Sequence, residues 1–203
     1  MNRLYLVRHG ESEWNILNKV QGQSDVNLTK KGIEQAKKIG ERLIHEKIDM
    51  IFSSDLKRAF DTAKIIGKLL NLEVKSLEEL REIRFGIWEG LTTKEIKDKY
   101  LNEHIVWMTE PHKLILPEAE RLIDLQERLL GVVKSYIKKN ENKNILIVSH
   151  GTSIKALILG ILGIDLSFYN KLSIGNTGLS ILEYRDYSPV LRVLNDTSHL
   201  KEV

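Results

Sequence analysis

Short apolar runs alternate along this chain with segments in which apolar residues recur every three or four positions. The short runs cover residues 4–7, 48–52, 73–77, 144–148, 178–184 and 190–194. Their length and their aliphatic, often β-branched side chains predict strands. The periodic segments predict helices over residues 29–44, 59–71, 122–136 and 154–162. This alternation predicts an α/β fold, a single three-layer domain over residues 1–203 with helices flanking a mostly parallel sheet.

The first two long helices carry the clearest apolar stripes. In the first, Thr29 is the expected N-cap, and we expect the inward positions to be Ile33, Ala36, Gly40, Leu43 and Ile44. In the second we expect them to be Ala59, Ala63, Ile66, Leu69 and Leu70, with the helix ending near Asn71.

Residues 85–121 interrupt the alternation. The helical patterns there are short, no core strand is evident, and tryptophan and proline cluster, with Trp88, Trp107, Pro111 and Pro117. An insertion of this kind between two sheet elements commonly forms a lid over a site. We therefore expect a small helical lid at residues 85–121, the alternative being a packing subdomain with no role in binding substrate.

Bulk properties limit the classes of function. The chain has 203 residues, 42% hydrophobic and 29% charged, with a net charge of +3 and no dense basic block, so we expect no nucleic-acid partner. It has no cysteine, which excludes disulfides, thiolate chemistry and cysteine-ligated zinc. No segment approaches the ~20 apolar residues of a membrane span, and the first residues are too brief for a signal peptide. We expect a cytoplasmic protein with no membrane partner.

Two of the predicted strands end in a similar way. Residues 4–7 lead into Arg8-His9-Gly10, and residues 145–148 lead into Ser149-His150-Gly151. A third strand leads into residues 53–59, which place Arg58 in the first turn of the following helix. The carboxyl ends of parallel strands share one edge of the sheet, where ligands of open α/β sheets bind.

These groups suit a tetrahedral dianion. Arg8, Arg58, His150 and the backbone amides around Gly10 and Gly151 would form a cage of positive potential for a phosphate or phosphoryl group. An imidazole inside such a cage can attack phosphorus, provided that a carboxyl group protonates the departing alkoxide. Arginine beside the site and the lack of an Asp/His cluster argue against a metal hydrolase, so we expect no metal and no cofactor.

At this point the motifs resemble a known family, the histidine phosphatase superfamily in its phosphoglycerate mutase-like branch. The matching segments stand in the family's order at residues 6–15, 21–32, 53–59, 80–90 and 148–151. The first of them reads Leu-Val-Arg-His-Gly-Glu-Ser-Glu-Trp-Asn.

The resemblance implies a role for each matching residue. His9 would be the phosphorylated nucleophile and Glu82 the proton donor. The phosphoryl group would be bound by Arg8, Arg58 and His150, and the substrate pocket would include Asn15, Gln21 and Gly22. For Glu82 a plain alternative stays open, because with Glu78 and Glu79 it could simply belong to the end of a surface helix.

One stretch departs from the family pattern. Ala119-Glu120-Arg121 stands where the family usually has Gly-Glu-Ser or Gly-Glu-Thr at the pocket rim. Arg121 would either favour an acidic substrate or point to solvent. The phosphate cage is unaffected, so we expect turnover to persist.

The predicted function is a metal-independent phosphomonoester hydrolase acting on small phosphorylated metabolites. The alternative is a 2,3-bisphosphoglycerate-dependent phosphoglycerate mutase. The mutases of the family typically have a longer lid and a longer C-terminal tail than this chain. A third hypothesis is a non-catalytic phosphate-binding module. All of the expected catalytic residues are present, so nothing in the sequence supports this hypothesis. The resemblance suggests phosphoserine, α-ribazole phosphate or a broad range of phosphoesters as substrates. The short C-terminal strands would either pair across a homodimer or form an exposed edge covered by a loop, and the sequence fits both arrangements.

Overall fold

A six-stranded sheet forms the centre of the computed structural model, which describes residues 2–201. Its strands are β1 (Asn2–Arg8), β2 (Met50–Ser53), β3 (Val74–Ser76), β4 (Ile145–Ser149), β5 (Leu179–Tyr184) and β6 (Pro189–Asp196). Their spatial order is β3-β2-β4-β1-β5-β6. The first four strands in that order pair in parallel, whereas β5 is antiparallel to β1 and to β6. The predicted α/β fold with a mostly parallel sheet is confirmed.

Helices cover both faces of the sheet. They are α1 (Glu13–Ile16), α2 (Lys30–Leu43), α3 (Lys57–Leu70), α4 (Thr93–Lys99), α5 (Leu101–Thr109), α6 (Leu122–Lys139) and α7 (Gly151–Leu162). Short 3-10 helices lie at Glu78–Leu80, Gly86–Trp88, Pro111–Lys113, Leu166–Lys171 and Ser198–Leu200. Thr29 caps α2 by accepting a hydrogen bond from the Gly32 amide, as expected.

The sheet residues alternate between two hydrophobic cores. Leu4 and Leu6 of β1 pack with residues of α6 and α7 on one face. Tyr5 and Val7 pack with residues of α2 and α3 on the other. Because successive strand side chains point to opposite faces, a run that is apolar throughout has to be covered on both sides.

Three of the predicted inward positions are wrong. Ile33 and Ile44 of the first long helical segment are 38% and 51% exposed, and Leu69 is 41% exposed. The buried stripe of α2 instead includes Gly32 and Ile39. Gly40 faces α3, where a Cβ would lie 3.4 Å from the Ile66 Cα atom, so the two helices pack closely on this side.

Residues 85–121 contribute no strand to the central sheet, as expected, and contain α4, α5 and two of the 3-10 helices. Trp107 of α5 packs edge-on against Phe85 and lies 5.3 Å from the Tyr169 ring, centroid to centroid. The Asn170 side-chain amide donates hydrogen bonds to the Trp107 and Met108 carbonyls. The segment is thus tied to the 3-10 helix that follows α7.

None of the helices within residues 2–201 is both long enough and apolar enough to cross a membrane.

Candidate active site

The ends of β1 and β4 bring the two strand-end histidines together. Arg8 lies opposite Ser149 in the parallel register, and the His9 amide donates to the Ser149 carbonyl at 3.0 Å. The His9 and His150 ring centroids are 5.3 Å apart, and the residues are 3% and 0% exposed. The sequence prediction that these two groups share one edge of the sheet agrees with this arrangement.

Two arginines flank the histidines, Arg58 buried and Arg8 half-buried, and both donate to backbone carbonyl groups. Arg8 Nη1 donates to the Ile174 carbonyl at 2.7 Å. Arg58 donates to the Ser24 carbonyl at 2.8 Å and to the Gly22 carbonyl at 2.7 Å. Burial lowers the pKa of Arg58 to about 10, so its guanidinium remains charged at neutral pH.

Several buried nitrogen atoms at this place have no hydrogen-bond partner among residues 2–201. They are Nε of Arg8, Nε of Arg58 and both ring nitrogens of His150. Buried polar groups in proteins are nearly always hydrogen-bonded, and exceptions point to a functional role. A cluster of cationic and imidazole nitrogens with unused capacity is suited to an oxyanion.

A cavity of about 170 Å³ opens beside these groups. It is lined by Arg8, His9, Asn15, Lys19, Val20, Gln21, Gly22, Arg58, Glu82 and Phe85. His150 and Gly151 are not part of this lining. His150 packs against His9, and a Cβ on Gly151 would lie 3.5 Å from Arg8 Nε. The nine residues predicted from the sequence are therefore brought together, seven of them on the cavity wall.

The His9 ring has a defined tautomer. Its Nδ1 atom lies 2.7 Å from the Gly10 carbonyl oxygen, which can only accept. Nδ1 therefore carries the hydrogen, and Nε2 carries the lone pair. Desolvation by burial, together with the positive charges of Arg58 and Arg8, lowers the pKa of His9 well below its usual value. The ring is neutral at neutral pH and has the form that a nucleophile requires.

His150 experiences the same environment. Burial, and then the positive charges of Arg58 and Arg8, lower the pKa of His150 well below the ordinary value. A neutral imidazole has one N–H donor, which can hydrogen-bond to an oxygen of an anion.

Glu82 follows the 3-10 helix Glu78–Leu80, and its carboxylate is directed away from solvent to the N-terminus of α7. Its carboxylate accepts hydrogen bonds from the Thr152 amide at 3.1 Å, and from the Ser153 amide and hydroxyl at 3.0 and 2.9 Å. The Ile83 amide donates at 3.0 Å. Glu82 is 9% exposed, whereas the Glu78 side chain is 76% exposed, so the two residues of the acidic stretch have different environments.

Asn15, Gln21 and Gly22 form a polar wall of the cavity. Asn15 Oδ1 accepts from the Ser12 amide at 3.0 Å, and Gln21 Oε1 accepts from the Ser12 hydroxyl at 2.8 Å. Gly22 has a φ of 50°, and a Cβ there would lie 2.0 Å from Glu89 Oε1. The turn that presents the Gly22 carbonyl to Arg58 therefore requires glycine.

The stretch that departs from the family pattern lies outside the cavity lining. Arg121 forms a bidentate ion pair with Asp124, and its side chain is 59% exposed. Glu120 is paired with Arg128. Of the two alternatives for Arg121, the structure favours the solvent-facing one.

Lys19, Val20 and Phe85 line the cavity but do not stand out in the sequence. Lys19 and Val20 lie between Asn15 and Gln21, and Phe85 lies three residues after Glu82, so their proximity to motif residues is the only available signal. Across residues 2–201, no three His, Asp or Glu side chains are grouped in a way that could hold a metal ion.

The fold and the site define an α/β protein with a pocket lined by arginine and histidine at the carboxyl edge of parallel strands. A family model of the histidine phosphatase superfamily, branch 1, matches residues 4–197. The chain belongs to this superfamily.

Phosphoserine phosphatase 1 of Hydrogenobacter thermophilus is 36% identical over 202 residues, covering 100% of this chain and 96% of the relative. A probable phosphoglycerate mutase GpmB of Proteus mirabilis is 32% identical over 211 residues, covering 100% and 97%. Among solved structures, a mutant phosphoserine phosphatase of Entamoeba histolytica in complex with phosphoserine has a TM-score of 0.90 and 36% identity, covering 99% of this chain and 100% of that chain.

Proposed function

We propose that this protein is a metal-independent phosphomonoester hydrolase that acts through a phosphohistidine on His9. The observation that carries the proposal is the state of the His9 ring, which is neutral, has its lone pair on Nε2, and lies beside Arg8 and Arg58 in the wall of a cavity. A neutral imidazole can attack phosphorus, and fixed cations stabilise the charge on the non-bridging oxygens.

The reaction has two steps. His9 Nε2 attacks phosphorus, the bond from phosphorus to the ester oxygen breaks, and Glu82 gives its proton to the departing alkoxide. Water then attacks the phosphohistidine, Glu82 takes a proton from that water, and the bond from phosphorus to Nε2 breaks to release phosphate. Arg8, Arg58 and His150 bind the phosphoryl oxygens throughout.

Glu82 requires a proton before the first step. That proton is the one that Glu82 takes from water at the end of the preceding turnover. The donors from α7 hold the carboxyl group in position in either protonation state.

Residues 85–121 are proposed to form a lid on this cavity. Phe85 is part of the cavity wall, and Lys19, another lining residue, forms a β-bridge with Thr92 at the start of α4. Trp107 packs between Phe85 and Tyr169. The segment thus contacts the pocket directly. This contact favours a lid over the alternative, a packing subdomain with no role in binding substrate.

The proposed substrate is a small phosphorylated metabolite, with phosphoserine as the first candidate. Two similar proteins carry phosphoserine in their names. The cavity adds a third cation, Lys19, which forms no ion pair with any of residues 2–201 and can bind a carboxylate next to the phosphoester.

Mutase activity is the second candidate, since a similar protein is named a probable phosphoglycerate mutase. Both reactions use the same phosphohistidine and differ in the acceptor that reaches it. Phosphoserine incubated with the enzyme and EDTA should yield serine and phosphate in equal amounts. Conversion of 3-phosphoglycerate to 2-phosphoglycerate that requires 2,3-bisphosphoglycerate and releases no phosphate would instead establish the mutase.

The role of Glu82 is tested with two leaving groups. Glu82→Gln should lower kcat for phosphoserine by about 10²–10⁴-fold, the usual contribution of a general acid. The loss should be much smaller with p-nitrophenyl phosphate, whose leaving group needs little protonation. Equal losses with the two substrates would remove Glu82 as the proton donor.

A further inference from the structure

The loop between α7 and β5 holds the backbone of the proposed nucleophile. The Thr177 amide donates to the Arg8 carbonyl at 3.0 Å and to the His9 carbonyl at 3.3 Å. The Asn176 side chain donates to the His9 carbonyl at 3.0 Å and to Asn15 Oδ1 at 3.2 Å. These hydrogen bonds fix the backbone at the end of β1, where His9 follows the last strand residue.

Thr177 adopts an unfavourable backbone conformation to make these contacts. It is completely buried and has a φ of 52°, in the left-handed region that β-branched residues rarely enter. A residue held in this region persists only where its surroundings impose the conformation. An interaction that fixes Thr177 is therefore needed.

His199 supplies that interaction from the C-terminal part of the chain. Its Nε2 atom lies 3.1 Å from Thr177 Oγ1. The ring is half-buried, and its Nδ1 atom has no hydrogen-bond partner among residues 2–201. The 3-10 helix that carries it, Ser198–Leu200, packs on α2.

We propose that His199 is a positioning residue for the reaction, acting through Thr177 on the backbone of His9. The inference rests on the proposed function, because it assumes that His9 is the nucleophile. His199 contributes no atom to the cavity wall. The two guanidinium groups keep partners of their own, which are the Ile174 carbonyl for Arg8 and the Gly22 and Ser24 carbonyls for Arg58. Its loss should therefore change the alignment of the His9 ring more than the binding of the phosphoryl group.

The test separates kcat from KM. His199→Phe should lower kcat about tenfold with phosphoserine, less than the 10²-fold loss that a 1 Å misplacement can cause, while KM stays within about twofold. His199→Gln, which can hydrogen-bond to Thr177 again, should recover most of kcat. The matched control is His45→Phe, since His45 is exposed, and its kcat should equal that of the wild type.

A second variant tests the route through Thr177. Thr177→Gly keeps the backbone amide, removes the hydroxyl and tolerates the positive φ, so the protein should fold. Its kcat should fall as in His199→Phe, and the double variant should be no worse than either single one.

Additive losses, or an unchanged kcat in His199→Phe, would overturn the proposal while the wild type remained active. No turnover and no phosphohistidine in the wild type would instead mean that the proposed function had failed.

Discussion

Acidification should destabilise the ligand-free protein because two buried histidines exclude protons. His9 and His150 are 3% and 0% exposed, and burial together with neighbouring positive charge lowers the pKa of both. In the unfolded chain each imidazole has the ordinary pKa of about 6.5. Below that pH the unfolded state binds more protons than the folded state, so the free energy of unfolding falls as the pH falls through about 6.5.

The size of the effect follows from the number of excluded protons. Between pH 7.5 and 5.5 each histidine that stays neutral in the folded state lowers the free energy of unfolding by about 1.4 kcal/mol, or about 2.7 kcal/mol for the pair. His199, whose pKa is lowered by burial, contributes in the same direction but less, because its ring is only half-buried.

Urea unfolding at several pH values measures this dependence through the denaturation midpoint at constant slope. His9→Gln and His150→Gln should each remove about half of the 2.7 kcal/mol change, and His45→Gln, at an exposed position, should leave it intact. If the wild type kept the same stability from pH 7.5 to 5.5, the histidines would not be excluding protons, and the neutral state of His9 on which the mechanism depends would be wrong.

Two further predictions concern the pocket rim. Lys19→Met should raise KM for phosphoserine about tenfold, the effect of losing a charged hydrogen bond, and leave KM for phosphoethanolamine, which has no carboxylate, nearly unchanged; equal effects on the two substrates would argue against a carboxylate contact. Arg121→Ala should leave kcat/KM for phosphoserine unchanged because the side chain is exposed and paired with Asp124, and a severalfold loss would return Arg121 to the substrate site.

The placement of the histidines and of Arg58 at the edge of the sheet can be predicted because it depends on short, local sequence patterns. A buried run followed by Arg8-His9-Gly10 and a second followed by Ser149-His150-Gly151 place both histidines once the strands are taken as parallel. Arg58 follows from its place at the start of α3. These inferences need only the direction of each strand and the first turn of the next helix.

Other features depend on contacts between distant parts of the chain. Ile33 and Ile44 fit a helical period but lie outside the buried face of α2, which includes Gly32, Ile39 and Gly40 and packs on α3. Asn176 reaches His9 across 167 positions and His199 reaches Thr177 across 22. No local pattern encodes such pairings, so the residues that support the nucleophile emerge only from the fold.

The most direct test of the account is to find the phosphoryl group on the enzyme. Brief reaction with a ³²P-labelled phosphoester, followed by quenching in base, should leave a base-stable, acid-labile label on the peptide that contains His9. His9→Ala should carry no label and show no hydrolysis. A label on another residue, or full hydrolysis by His9→Ala, would contradict the assignment of His9 as the nucleophile.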